Sequence, residues 1–274
     1  MDLARVQKPV RQLRKLLKEL TADPEPAQVH RLRTHTRRIE AATAVLDSTA
    51  QDECRRLLKA LKPLRKASGG VREMDVLSAD LASLRKSANP VSLGRLADHL
   101  REVRDANAGR LSELLDRHRK RARRRLKEFA RAIDETATGK KPVRSESSAA
   151  QSTCTSTIGR VEVLAAELAS WPELNSSNLH DFRLKAKELR YVLDMDPAAD
   201  PQLIGALGRA KGAIGKWHDW QQLRVMARDV LNPSQDRELL AQIESAGKQK
   251  LTRALTASSS LRKLLLAGSQ LKAS

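Results

Sequence analysis

His30-Arg31-Leu32-Arg33-Thr34-His35-Thr36-Arg37-Arg38-Ile39 sorts into two unlike faces when wound as a helix. At about 100° per residue, His30, Arg33 and Arg37 fall within roughly 60° on one side. Leu32, Ile39 and Leu46 project from the opposite side. The pattern His-x-φ-Arg-x-x-x-(Arg/Lys)-x-φ, with φ apolar, returns 150 residues later. There it reads His180-Asp181-Phe182-Arg183-Leu184-Lys185-Ala186-Lys187-Glu188-Leu189. His180, Arg183 and Lys187 repeat the polar stripe, opposed by Phe182, Leu189 and Leu193.

A second match follows in the same order. Arg65-x6-Arg72-Glu73-x-Asp75-Val76-Leu77 aligns with Lys211-x6-His218-Asp219-x-Gln221-Gln222-Leu223 at an offset of 146, which places Gly69 on Gly215. Two matching segments in one order argue for duplicated helical bundles rather than chance.

The surrounding chain agrees. Helices are predicted near 2–21, 27–48, 51–67, 71–87 and 91–134, with breaks at Pro24, Pro26, Gly69-Gly70 and Asn89-Pro90. Beyond them lie helices near 158–170, 177–195, 200–214, 217–230, 234–257 and 260–270. No segment sustains the alternation of a half-buried strand, so the fold class is all-α. The span 136–157 is rich in Ala, Thr, Ser, Gly, Pro and Lys and reads as a flexible linker between bundles at 1–135 and 158–274.

Composition narrows the partners. A formal net charge of +19 points to nucleic acid, other polyphosphates or an anionic surface. Apolar residues reach 40%, enough for a core, but aromatics only 2%, too few for a convincing base-stacking platform. Cys54 and Cys154 form neither a CxxC pair nor a zinc spacing. The N-terminus lacks the apolar core of a secretion signal, and no apolar run approaches the roughly 20 residues that span a bilayer. A cytoplasmic protein without membrane association is the expectation.

Each stripe covers roughly 10 Å of helix and suits several linked anionic groups better than one isolated phosphate. Arginine offers a planar fork of donors, lysine a mobile point charge, and histidine a donor that gains charge as pH falls. The alternative is a solvated basic face, which repetition at corresponding positions makes harder to sustain. Arg72 and His218 sit near predicted helix starts, each followed by an acid. They and the equivalent pair Arg65 and Lys211 fit either ligand contact or structural ion pairing. The densest charge runs from Arg117 to Arg125, where His118-x-x-Arg121 repeats the spacing and makes Arg121 a further candidate. That run also suits nucleic acid without sequence preference.

Sharper chemistry fails on inspection. Gly208 to Lys216 superficially suggests a P-loop, but Ala210 stands where the first Gly belongs and Trp217 replaces Ser/Thr. HExxH is absent, and no nucleophile–base pair or paired acids stand out. Neither catalysis, nor a metal, nor a cofactor is expected.

The segments Val29 to Arg38 and Leu179 to Tyr191, with Gly69-Gly70-Val71-Arg72-Glu73-Met74-Asp75-Val76-Leu77 and Gly215-Lys216-Trp217-His218-Asp219, resemble the CHAD family, the conserved-histidine α-helical domain. The resemblance runs from about residue 3 to about 270. It implies two pseudo-symmetric antiparallel helical bundles enclosing a basic central channel. It also implies binding of inorganic polyphosphate without hydrolysis. Carried over residue by residue, the ligands are His30, Arg33, Arg37 and Arg38, then His180, Arg183, Lys187 and Arg190, joined by Arg72 and His218. Glu188 departs from the basic Arg38, and Gln221 from Asp75, which breaks exact symmetry. The Glu-x-Glu-x-Lys motif of the triphosphatase that often accompanies the family is absent, so a stand-alone binding protein is expected. Recruitment to polyphosphate granules is compatible with that reading, and nucleic acid is the competing partner.

Overall fold

The computed structural model describes residues 3–21, 24–43, 51–84, 88–137, 149–194 and 199–271. Among them it is all-helical: α1 (Leu3–Glu19), α2 (Pro26–Thr43), α3 (Gln51–Ala82), α4 (Pro90–Ala137), α5 (Ala149–Ala169), α6 (Leu179–Leu193), α7 (Pro201–Val230) and α8 (Arg237–Leu271). Leu46 and residues 138–148 of the expected linker lie outside the described residues, while α4 reaches Ala137 and α5 begins at Ala149.

Three expected breaks are absent. Helix α3 runs straight through Gly69-Gly70, α7 through Gly215, and α8 through Ser258-Ser259. Glycine in a helix interior costs about 1 kcal/mol, which packing on a buried face offsets. Ser258 is buried and donates its hydroxyl to the Ala254 carbonyl at 2.7 Å, so its polar group is satisfied along the helix itself. Arg72 and His218 consequently sit well inside long helices rather than at helix starts. The start of α7 does carry a cap: Asp200 accepts from the backbone N–H of Gln202 and Leu203, with Pro201 in the first turn.

The chain divides into two compact units, one within Asp2–Arg85 and Leu93–Arg144, the other within Lys86–Ser92 and Ser145–Ser274. In the first, Leu13, Leu17, Leu32, Ile39, Leu57, Leu64, Leu126 and Phe129 build the core. In the second, Phe182, Ala186, Leu189, Leu207, Ala210 and Ile214 do so, with Trp171 edge-on to Phe182 at 5.6 Å. Leu32, Ile39, Phe182 and Leu189 are fully buried, so each basic stripe is carried by a helix whose other face is anchored in a core.

Candidate functional site: two basic helix pairs

In the first unit α2 packs on α3. Its inner face includes the buried Thr36, whose hydroxyl donates to the Leu32 and Arg33 carbonyls and is thereby satisfied along the helix itself. The stripe emerges along its edge: His30 and Arg38 exposed, Arg33 and Arg37 half-buried. Arg33 lies across α3 so closely that a Cβ at Gly69 would stand 2.7 Å from its Nη1. The next residue, Gly70, makes the same allowance for Asn107 of α4. Sequence reading took this glycine pair as a break, whereas it is the place where side chains of α2 and α4 reach the α3 backbone.

Arg65 of α3 donates to Glu40 of α2 at 3.1 Å. Glu40 continues the His30–Arg33–Arg37 stripe by one more turn and was not foreseen; the spacing after Arg37 was the available signal. Deeper in the unit, Arg104 of α4 donates through Nε to Asp75 of α3 at 3.0 Å, with the Asp75 side chain only 7% exposed. Burial, reinforced by Arg38 and Arg31, holds the His35 imidazole below its ordinary value. The Cys54 thiol is pushed up by burial and is a packing residue.

The second unit repeats the plan with other residues. The imidazoles of His180 on α6 and His218 on α7 lie 6.1 Å apart, so these two exposed candidates come together. Arg183 approaches Gly215 of α7, 3.5 Å from where a Cβ would stand. Lys187 rides over the Tyr191 ring at 5.3 Å. Arg190 lies 3.1 Å from the Cβ position of Gly208 and 3.6 Å from Asp194. Arg190 occupies the position that matches Glu40 by the sequence offset, and half-buried Lys211 the position that matches Arg65. Arg121 stands exposed on α4 among Arg117, Lys120, Arg123 and Arg124, which are also exposed.

The same two sequence segments thus form a helix pair in each unit, with an arginine of the first laid beside a glycine of the second. The family model of the CHAD domain matches residues 4–228.

The chain belongs to the CHAD family.

A crystal structure of the CHAD domain from the plant Ricinus communis shares its fold, with a TM-score of 0.61 at 17% identity. The match covers 97% of this chain and 90% of that one. Comparison with curated proteins finds no match. The CHAD match ends within α7, before α8, although α8 packs along α7 and α5. In this CHAD protein no group of three or more His, Cys, Asp and Glu is placed to hold a metal among the described residues. Nor is any described helix long and apolar enough to cross a membrane.

Proposed function

We propose that the protein binds inorganic polyphosphate, without hydrolysing it, through the α2–α3 and α6–α7 basic helix pairs. The observation that carries this reading is the repeated approach of an arginine to a helix glycine, Arg33 to Gly69 and Arg183 to Gly215. Such seating fixes a planar donor fork before ligand arrives, so less side-chain entropy is lost on binding. His30, Arg37 and Arg38 extend the first face; His180, Lys187, Arg190 and His218 extend the second. Arg72 and Lys211 add charge from α3 and α7. Arg65 contributes in exchange with Glu40. The ligand is met in the cytoplasm, at polyphosphate granules.

Affinity rises with chain length, because more phosphates engage successive turns, and falls with salt as counterions are no longer released. Titration with long-chain polyphosphate at near-physiological salt tests this. The double variant Arg33→Ala, Arg183→Ala is expected to lose at least about tenfold in affinity, about 1.4 kcal/mol, with helicity and melting unchanged. Orthophosphate competing as well as the polymer at equal phosphate would end the reading. The exposed cations of Arg117 to Arg125 favour a second reading, nucleic-acid binding, in which DNA displaces polyphosphate and neutralising that run matters most.

A further inference from the structure

None of the candidate polyphosphate ligands lines the furrow between the C-terminal half of α7 and the N-terminal half of α8, and α8 lies beyond the CHAD match. Two adjoining cavities share Arg224 and Glu244 as walls. One, of about 350 Å³, is bordered by Trp217, Trp220, Gln221 and Lys248. The other, of about 470 Å³, is bordered by Arg228, Arg237 and Leu240. Four cations therefore face a single lining carboxylate.

Glu244 is spoken for. Lys248 bonds it at 3.1 Å and, with help from Arg224 and Arg228, holds its carboxyl below the usual carboxylate range. Three donor atoms of the lining are not matched. The indole N–H groups of Trp217 and Trp220 and the Nε–H of Arg224 are buried and meet no acceptor among the described residues. The furrow also lacks an acid that the first unit has. There the buried carboxylate of Asp75 takes the Nε–H of Arg104 at 3.0 Å, whereas the matching position here is the neutral Gln221.

We propose that this furrow is a second anion site, which takes a short phosphoryl anion of pyrophosphate size or larger. Arg224 and Arg228 are one helical turn apart, about 6 Å along the axis, so they engage separate phosphates of one short chain. Phosphoryl oxygens accept from both arginine forks, and Lys248 adds a point charge. Trp217, Trp220 and Leu251 form an apolar wall on the Arg224 side of the furrow, while Arg228 and Lys248 reach it from its exposed rim. A free diphosphate and the phosphates of a nucleotide share this chemistry.

Equilibrium dialysis against labelled pyrophosphate and against ATP tests it, using the full chain with Arg33→Ala and Arg183→Ala. Those substitutions weaken the stripes, and comparing proteins with and without Arg224→Gln and Arg228→Gln in this one background separates the furrow from the polyphosphate reading. Saturable binding is expected, weakened at least about tenfold by Arg224→Gln with Arg228→Gln. Glu244→Gln removes the competing carboxylate and is expected to tighten binding, an opposite shift that a merely unfolded variant cannot produce. Tighter binding of ATP assigns the nucleotide as the source, and equal binding assigns the free diphosphate. The proposal is overturned if neither probe binds saturably, or if both bind equally well to the Arg224→Gln, Arg228→Gln protein.

Discussion

The α2–α3 and α6–α7 pairs are written in nearly the same pattern, yet they settle their charges differently. In the first, Glu40 answers Arg65 across the helix contact at 3.1 Å. In the second, the matching positions carry Arg190 and Lys211, and Gly208 gives Arg190 room against the α7 backbone. At this position the first pair sets an acid on its cation, whereas the second sets a further cation there, beside a helix glycine and 3.6 Å from Asp194 on its own helix. The lesson is that a polar stripe is defined as much by what its partner helix omits as by the stripe itself.

The largest effect is expected where the pairs are alike. Leu32→Ala and Leu189→Ala each remove a fully buried anchor behind a stripe and should cost about 2–5 kcal/mol in denaturant unfolding. A loss under about 1 kcal/mol in only one of them would show that the two stripes are not equally anchored.

Glycine substitution separates the pairs. Both Gly69→Ala and Gly215→Ala gain up to about 1 kcal/mol of helix propensity. At Gly215 the new methyl would make ordinary contact with Arg183, whereas at Gly69 it would meet Arg33 Nη1 at 2.7 Å. Melting and polyphosphate titration together should therefore show Gly215→Ala stabilised with affinity kept, and Gly69→Ala with Arg33 displaced and affinity reduced. Equal affinities would remove the clearance argument.

A smaller shift is expected from Glu40→Gln. Glu40 and Arg65 are 43% and 33% exposed, so the pair contributes about 0–1 kcal/mol to stability. Its loss should leave melting nearly unchanged and tighten polyphosphate binding at low salt, bringing the first pair closer to the second. Unchanged affinity would mean that Arg65 serves only the fold.

Smallest is a pH effect confined to the first unit. His35 has its folded-state pKa lowered, so the unfolded chain takes up the proton first as pH falls. Stability should decline from about pH 6.5 downward and level off below the folded-state pKa, with His35→Gln flattening that part of the profile. At the matching position the second unit has Lys185, which bonds Glu167 at 2.9 Å and carries no such titration. Denaturant midpoints measured across that range, for wild type and variant, decide it.

The helical class and the sidedness of α2 and α6 were legible because both follow from periodicity: Leu32 and Ile39 are buried, His30 and Arg38 are exposed. The breaks at Gly69-Gly70, Gly215 and Ser258-Ser259 were misread because local propensity is small beside packing, which a neighbouring helix supplies. The Glu40–Arg65 and Asp75–Arg104 bonds depend on which faces meet, and spacing within one segment carries no record of that. Arg33 and Arg183 were recognised as cations, while the glycines that receive them were taken for punctuation.

The first turn of α4 has a consequence for dissecting the molecule. Ser92 donates its hydroxyl to Asp236, 144 residues away, and Asp236 in turn accepts the backbone N–H of Asn232 just before α8. The short stretch Lys86–Ser92 thus belongs with the C-terminal unit although the chain on both sides of it belongs with the N-terminal one. A gene cut after Arg144 would not release two self-sufficient products. The fragment beginning at Ser145 would leave its serine partner behind, and modular reuse of that half would require carrying the distant heptapeptide along.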